Sequence, residues 1–394
     1  MAYEQIYSVI NAATKNMIGA TGLAARDTAS FVDIGGQVLG DDGVNIPIFM
    51  NGLMGVIRDT YIKSKSYNRP EKVSARRSAS DFGLYLRKIQ RKNLAEVGEN
   101  SSYKAQDWDY YDGSLAKNWD DRIFGKIAGY ETTPIIVSDK QLARCFHNEA
   151  EMAAFIDMLY DGMMNDVEAN AETTECLARA TAMASCMAGP NASNTAINLS
   201  TLYAAAFPNA DAIDSGNWQY DANFIRFAIT EMKKFPRRMR TFNRLFNNGG
   251  ADRFSREDEI IFDIHADFVS SMEGYLENTL IEKFISLPTF NPVTRWQATG
   301  TSSAFASDTA INIQNSDYVT DATTTPATTL SVSKKGIIAF AHDIDKYAVT
   351  VDDLRVCQAR NSLQEMNTSV AKFDIAYAID PSEQGVVFYV DDAT

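Results

Sequence analysis

The chain has 394 residues, with 37 Lys and Arg against 51 Asp and Glu and a net charge of −14. A hydrophobic share of 45% beside 22% charged residues excludes a largely disordered chain. No apolar run approaches the ~18 residues of a membrane-crossing helix, and the acidity argues against a free sequence-specific DNA binder while leaving local basic faces open to nucleic acid.

The N-terminal stretch lacks the basic, apolar and cleavage-site order of a secretory signal, so synthesis in a cytoplasm is expected. Ile6, Ile10, Ala13 and Met17 give residues 3–20 helical spacing, and 47–62 repeats it. The glycines at 35, 36, 40 and 43 are expected to interrupt the chain between them, so that 1–50 forms an arm with little core of its own. Residues 58–92 then hold eleven basic side chains, Arg58, Lys63, Lys65, Arg69, Lys72, Arg76, Arg77, Arg87, Lys88, Arg91 and Lys92, against three acids. This polar stretch reads as an extension that projects from the body toward an acidic partner, which a neighbouring copy would supply.

A short strand is expected at Ile135–Val137, with Ser138 or Asp139 capping the next element. The longest helix is expected over 148–188, where apolar residues recur at helical spacing from Met152 to Met187 and Gly189-Pro190 stops the run. At 1.5 Å per residue it spans about 60 Å. It carries eight acids, among them Glu168, Glu172 and Glu175, and one arginine. A basic extension and an acidic helix in one chain suggest pairing within or between subunits. Such pairs are weak singly, about 0–1 kcal/mol, but orient partners when many align.

Beyond Pro190 the chain reads as soft to about 216. One or two helices are expected over 218–247, broken near Pro236. Residues 259–269 alternate as a strand, and 270–287 read as a helix capped by Ser270 or Ser271. The Thr-rich 299–333 reads as a loop or irregular strands, 336–344 as a strand, and 352–367 as mixed. Residues 371–380 and 386–390 read as an antiparallel pair joined by a turn at PSEQG.

Motifs for phosphate-binding loops, nucleophile elbows and zinc helices are absent. The best metal-like feature is Asp263-x-His265-x-Asp267, whose side chains would share one face of a strand; a solvated face is the plainer reading. Cys145-x-His147 lacks an evident base and orienting group for a nucleophile. Glu168 with Glu172 lacks the Glu-x-x-His partners of a di-metal bundle. Cys145, Cys176, Cys186 and Cys357 form no CxxC and read as reduced, mostly buried thiols. The basic tracts 58–92 and 233–244 fit either phosphate contacts or an inter-subunit face. No catalytic residue, metal ligand or cofactor is assigned, and an enzyme is not expected.

The order of these elements, together with the stretches SDKQLARCFHNEAEMAAFIDMLY and RNSLQEMNTSVAKFDIAYAID, resembles the major capsid proteins of tailed bacteriophages with the HK97-like fold. The resemblance implies an α+β fold with an N-terminal arm (1–57), an E-loop-like extension (58–130), a P-domain with its spine helix (131–214), a mainly A-domain region (215–350) and a return to the P-domain sheet (351–394). It implies a structural subunit that self-assembles through hexamers and pentamers into an icosahedral shell around the genome, located in the virion and assembled in the host cytoplasm. A separate scaffolding protein, a portal protein and non-specific proximity to packaged double-stranded DNA are the implied partners, and no membrane is. The basic residues of 58–92 and Glu168, Glu172 and Glu175 are the candidate inter-subunit contacts. The alternatives are an encapsulin-like or other virion component and, further off, a metal-dependent enzyme using Asp263, His265 and Asp267.

Overall fold

The computed structural model describes residues 10–14, 26, 28–39, 46, 48–50, 53, 76–78, 86–91, 119–124, 126–131, 134–145, 149–275, 290–298, 305–307, 311–318 and 328–391. Helices and strands are mixed, as expected for α+β. The helices are α1 (Thr28–Leu39), α2 (Asp139–Cys145), α3 (Glu149–Ala188), α4 (Ala192–Thr195), α5 (Leu199–Ala206), α6 (Ala222–Met232), α7 (Lys234–Met239) and α8 (Ala266–Tyr275). The strands run β1 (Arg76–Ser78), β2 (Leu86–Arg91), β3 (Trp119–Phe124), β4 (Lys126–Glu131), β5 (Ile135–Ser138), β6 (Ala196–Asn198), β7 (Ile260–His265) and β8 (Phe290–Val293). They continue as β9 (Gln297–Ala298), β10 (Phe305–Ser307), β11 (Ile311–Tyr318), β12 (Thr328–Lys334), β13 (Ile337–Asp343), β14 (Tyr347–Asn361), β15 (Met366–Ile379) and β16 (Gly385–Tyr389). The chain divides into two compact units, one of residues 1–69, 128–172 and 351–375, the other of 70–127, 173–350 and 376–394.

The first unit has a core made largely from the N-terminal stretch. Ile10, Phe31, Ile34, Val38, Phe49 and Leu53 are fully buried in one cluster with Val137, Leu142, Met152 and Leu159. This revises the expectation of a stretch with little packing. The glycines at 35 and 36 do not interrupt it either, because α1 runs through both of them. Burial of Phe31, Ile34 and Val38 on one face supplies what the glycines cost, about 1 kcal/mol each against alanine. In α2 the first turn is closed reciprocally: Gln141 N donates to Ser138 Oγ at 3.3 Å and Ser138 N donates to Gln141 Oε1 at 3.0 Å. That is the capping box, with Ser138 rather than Asp139 as the cap. Asp139 instead accepts from Arg360 (3.0 Å) and Asn367 (3.1 Å), tying α2 to β14 and β15. Ser138→Ala should lower stability by about 1 kcal/mol, read as a shifted urea midpoint with unchanged slope.

In the second unit a five-stranded sheet has the order β6-β16-β13-β7-β8. β16 runs parallel to β6 and antiparallel to β13; β7 runs antiparallel to β13 and parallel to β8. All residues of β7 and β13 are buried, so both faces of the central strands are covered. On one face Phe262, Ile264 and Phe388 pack with Phe224, Ile225, Met232 and Met239 of α6 and α7 and with Phe268 and Met272 of α8. Asn198 caps α5 by accepting from Ser200 N and Thr201 N, and Asp221 caps α6 by accepting from Asn223 N and Phe224 N.

The long helix matches its expected span, starting one residue later at Glu149 and ending at Ala188 before Gly189-Pro190. Other expectations are corrected. Residues 190–216 contain α4, β6 and α5 rather than a soft connection. The strand expected over 259–269 stops at His265, and the next helix starts at Ala266, ahead of Ser270. Ser270 Oγ donates back to Ala266 O inside that helix, so it is not a cap. The last two strands are not a hairpin: β15 pairs with β14 and β5, while β16 joins β13 and β6 in the other sheet. PSEQG is therefore a crossing between sheets. Its backbone is fixed by Asp380 Oδ1, which accepts from Ser382 N at 2.8 Å, and by Phe246 O, which accepts from Gly385 N at 2.8 Å. Residues 352–367 lie mostly in the long β14–β15 pair, and 299–333 includes the antiparallel pair β11–β12.

Candidate functional site

The chemistry-bearing residues of β7 meet in a buried network inside the second unit. Asp263, in mid-β7, is fully buried. Its Oδ1 accepts from Asn291 Nδ2 on β8 at 2.7 Å. Its Oδ2 faces His342 Nε2 on β13 at 3.4 Å and Tyr347 OH on β14 at 3.5 Å. His342 Nδ1 lies 2.8 Å from Asp343 O, so that nitrogen must donate. The contact of Nε2 with the carboxylate is then attractive when Nε2 also carries a proton. Burial pushes the Asp263 carboxyl up. The hydrogen bond and charge of His342, the charge of Arg179 and the Asn291 amide outweigh burial and hold it below the ordinary carboxylate value. Burial, and next the Asp263 charge, push Tyr347 well above the usual phenol value. Arg179 of α3 donates to Arg295 O at 2.7 Å and sits 5.5 Å from the Trp296 ring centroid, while Trp296 Nε1 donates to Ile337 O at 2.9 Å. The network is buried, and both oxygens of Asp263 face groups inside it, which is the form of a structural core.

This replaces the Asp263-His265-Asp267 ligand set. His265 ends β7 and its Nδ1 accepts from Asp267 N at 3.2 Å, the geometry of a residue closing the start of α8. Asp267 belongs to that helix and is about half exposed, while Asp263 turns to His342. Among the described residues no group of three His, Cys, Asp or Glu side chains is placed to hold a metal. Cys145 is half-buried, Cys176 and Cys186 are buried and Cys357 is exposed; all four are free thiols. His147 lies outside the described residues.

Of the charged contact candidates, Glu168 and Glu175 are each 7% exposed and Glu172 is half-buried. Arg58, Lys63, Lys65, Arg69, Lys72 and Lys92 lie outside the described residues. Arg76 and Arg77 lie on β1. Arg87, Lys88 and Arg91 lie on β2, which pairs antiparallel with β3 so that they stand opposite Ile123, Arg122 and Trp119. The second basic tract forms a defined surface. Arg226, Ile229 and Thr230 of α6, Lys234, Arg237 and Arg238 of α7, and Lys233 between the two helices line an open groove of about 750 Å³. The charges of this tract are plain in the sequence but the groove is not, because it depends on α6 and α7 continuing past Lys233 with only a slight break.

The family model for Phi29-like phage major capsid proteins matches residues 10–389. The chain belongs to this family. The role of this capsid protein is structural: it forms the shell of a phage head, and the chain is a virion component that oligomerises. Three solved structures are similar to the chain. The capsid of Staphylococcus phage Andhra is 10% identical, with a TM-score of 0.47 over 84% of this chain and 88% of that one. The mature capsid of bacteriophage PhiM1 is 9% identical, with a TM-score of 0.41 over 84% and 90%. The capsid of the cyanophage P-SCSP1u is 11% identical, with a TM-score of 0.41 over 83% and 93%. A comparison with curated proteins finds no match. No helix among the described residues is long and apolar enough to cross a membrane.

Proposed function

We propose that this capsid protein builds a closed icosahedral head through rings of five and six copies, with the HK97-like arrangement. The observation that carries the reading is the family match across residues 10–389. In this arrangement 1–57 is the N-terminal arm, 58–130 the E-loop-like extension, 131–214 the P-domain, 215–350 mainly the A-domain and 351–394 the return to the P-domain sheet. The 40-residue α3 supports the assignment of a spine helix. The two-stranded β2–β3 ribbon supports the extension, since a lone ribbon is marginal in water and gains most by lying on a neighbour.

The basic residues from Arg58 to Lys92 then meet acidic surface on the adjacent copy. Glu172 is the most accessible of the three helix glutamates for that contact, and Glu168 and Glu175 act from beneath the surface. Such contacts orient copies more than they bind them. Assembly takes place in the host cytoplasm with a separate scaffolding protein and a portal protein. Packaged DNA stays in non-specific proximity, and a −14 subunit avoids clamping it. Negative-stain electron microscopy with light scattering on one purified sample tests this. Rings of five or six, or closed shells, are expected. A chain that stays monomeric at all concentrations, with scaffold supplied, overturns it.

A further inference from the structure

Among the described residues, the groove along α6 and α7 is lined by five cations, Arg226, Lys233, Lys234, Arg237 and Arg238, and by no acid. The rest of its lining is Ile229, which is buried, and Thr230, whose hydroxyl donates to Arg226 O at 2.9 Å. Such a surface of one sign stands out on a chain of net charge −14. The acid nearest to it in the chain, Glu231, is taken by Lys234 in an ion pair.

The fold presents these cations as a row. Lys233 joins the two helices with helical dihedrals, φ −63° and ψ −19°, so 222–239 is nearly one continuous helix. Arg226, Thr230, Lys233 and Arg237 follow at steps of four, three and four residues, which places them on one face. The other side of the helix is fixed, because Phe224, Ile225, Met232, Phe235 and Met239 are buried in the core of the second unit. Arg238 lies over the Phe235 ring, 5.4 Å from its centroid. The Arg226 and Arg237 side chains make no ion pair or hydrogen bond among the described residues, so their guanidinium forks face outward with donors to spare.

Chemistry selects the occupant. A guanidinium fork matches the oxygens of a phosphate, which it can grip with two parallel bonds. Arg226 and Arg237 stand about 16 Å apart along the helix at 1.5 Å per residue. One strand of duplex DNA passes a phosphate every ~3.4 Å, so the row spans about five of them. A protein partner would need an apolar anchor at the centre of the contact, and Ile229 is too deeply buried to serve as one. We propose that this groove binds the phosphate backbone of packaged double-stranded DNA, without reading its sequence. The rest of the acidic subunit repels the duplex, so each copy tethers it at one place without clamping it. The inference rests on the shell-forming reading and turns proximity to DNA into a contact made by named residues.

The test is fluorescence anisotropy of a labelled 20-base-pair duplex with the purified, unassembled full chain over a series of salt concentrations. The forms compared are wild type, R226Q/R237Q and a control of equal charge change away from the groove, K335Q/K372Q. R226Q/R237Q should weaken binding on the order of tenfold at ~0.1 M salt and lower the slope of log affinity against log salt by about two. The control should keep the wild-type slope, and the basic stretch 58–92 contributes equally to all three. An unchanged slope for R226Q/R237Q, or an equal loss in the control, overturns the inference. So does poly-L-glutamate that displaces the labelled duplex as well as unlabelled duplex does, since the groove would then suit an acidic protein. Light scattering on the same samples separates the two readings. R226Q/R237Q should assemble like wild type; if it fails to, the groove is a contact between copies and the inference falls while the shell-forming reading stands. A wild-type chain that never associates removes that reading and the packaged-DNA contact with it. Should R226Q/R237Q misfold, amine labelling of wild type replaces it: bound duplex should protect Lys233 and Lys234, and equal labelling with and without duplex overturns the proposal.

Discussion

Asp263→Ala is expected to destabilise the fold by about 3–5 kcal/mol, because it leaves the buried polar groups that face this carboxylate, and the Arg179 charge, buried without it. Three groups turn toward this carboxylate: Asn291 Nδ2, His342 Nε2 and Tyr347 OH. Arg179 adds its charge from α3. The same network makes stability depend on acid. The folded carboxyl sits below its ordinary value, so the unfolded chain takes up its proton first as pH falls. The contribution is therefore complete above the unfolded carboxylate value and disappears as pH drops through the folded one. Urea midpoints measured from neutral pH downward should decline more steeply for wild type than for Asp263→Asn. That variant keeps the size of the side chain and has no proton to gain. Superimposable pH profiles would sink this account of the network. An Asp263→Ala variant within about 1 kcal/mol of wild type would do the same, since that is the range of a surface pair.

How far such a network is legible from sequence depends on which contacts are local. The spacing of apolar residues from Met152 onward and the Gly189-Pro190 stop place α3 to within a residue, since both signals lie in or beside the helix itself. Strands β13 and β16 are equally plain as apolar runs. Their partners are not. β16 comes soon after β15 in the chain, and PSEQG has turn residues, so local signals favour a hairpin. The sheet instead places β16 between β13 and β6, a choice made by packing against distant helices. The alternation Ile261, Asp263, His265, Asp267 runs past the end of the strand. A strand pattern does not reveal that His265 closes the start of a helix, because the signal is one hydrogen bond to Asp267 N. Asp263 stands out in the sequence as a carboxylate among apolar residues, but its neighbours there are not its partners. His342 lies 79 residues away, and only the register Phe340↔Asp263 brings their strands together. The basic tract at 233–244 is visible as charge, whereas the aromatic pair Phe242–Phe254 arises from a loop closure that no periodicity encodes.

The cost of breaking that non-local sheet should be greatest at its centre. Phe388→Ala is expected to destabilise by about 3–5 kcal/mol, the transfer loss plus the cavity left behind. Phe388 is fully buried, paired with Ala339 of β13 on one side and Ile197 of β6 on the other. Its ring meets Phe235 of α7 edge-on at 5.1 Å and Phe262 of β7 in a stack at 6.1 Å. One side chain thus joins strands and a helix drawn from widely separated segments of the chain, and the sheet cannot collapse around the void without moving all of them. Phe388→Leu keeps most of the volume and should cost less than about 1.5 kcal/mol. Equilibrium urea denaturation of both variants checks the difference. A domain holds only about 5–15 kcal/mol in total, so the alanine variant should also yield fewer assembled particles on warming from room temperature than the wild type does. Equal losses for Leu and Ala would mean that the ring contacts, rather than the filled volume, hold this sheet to its helices.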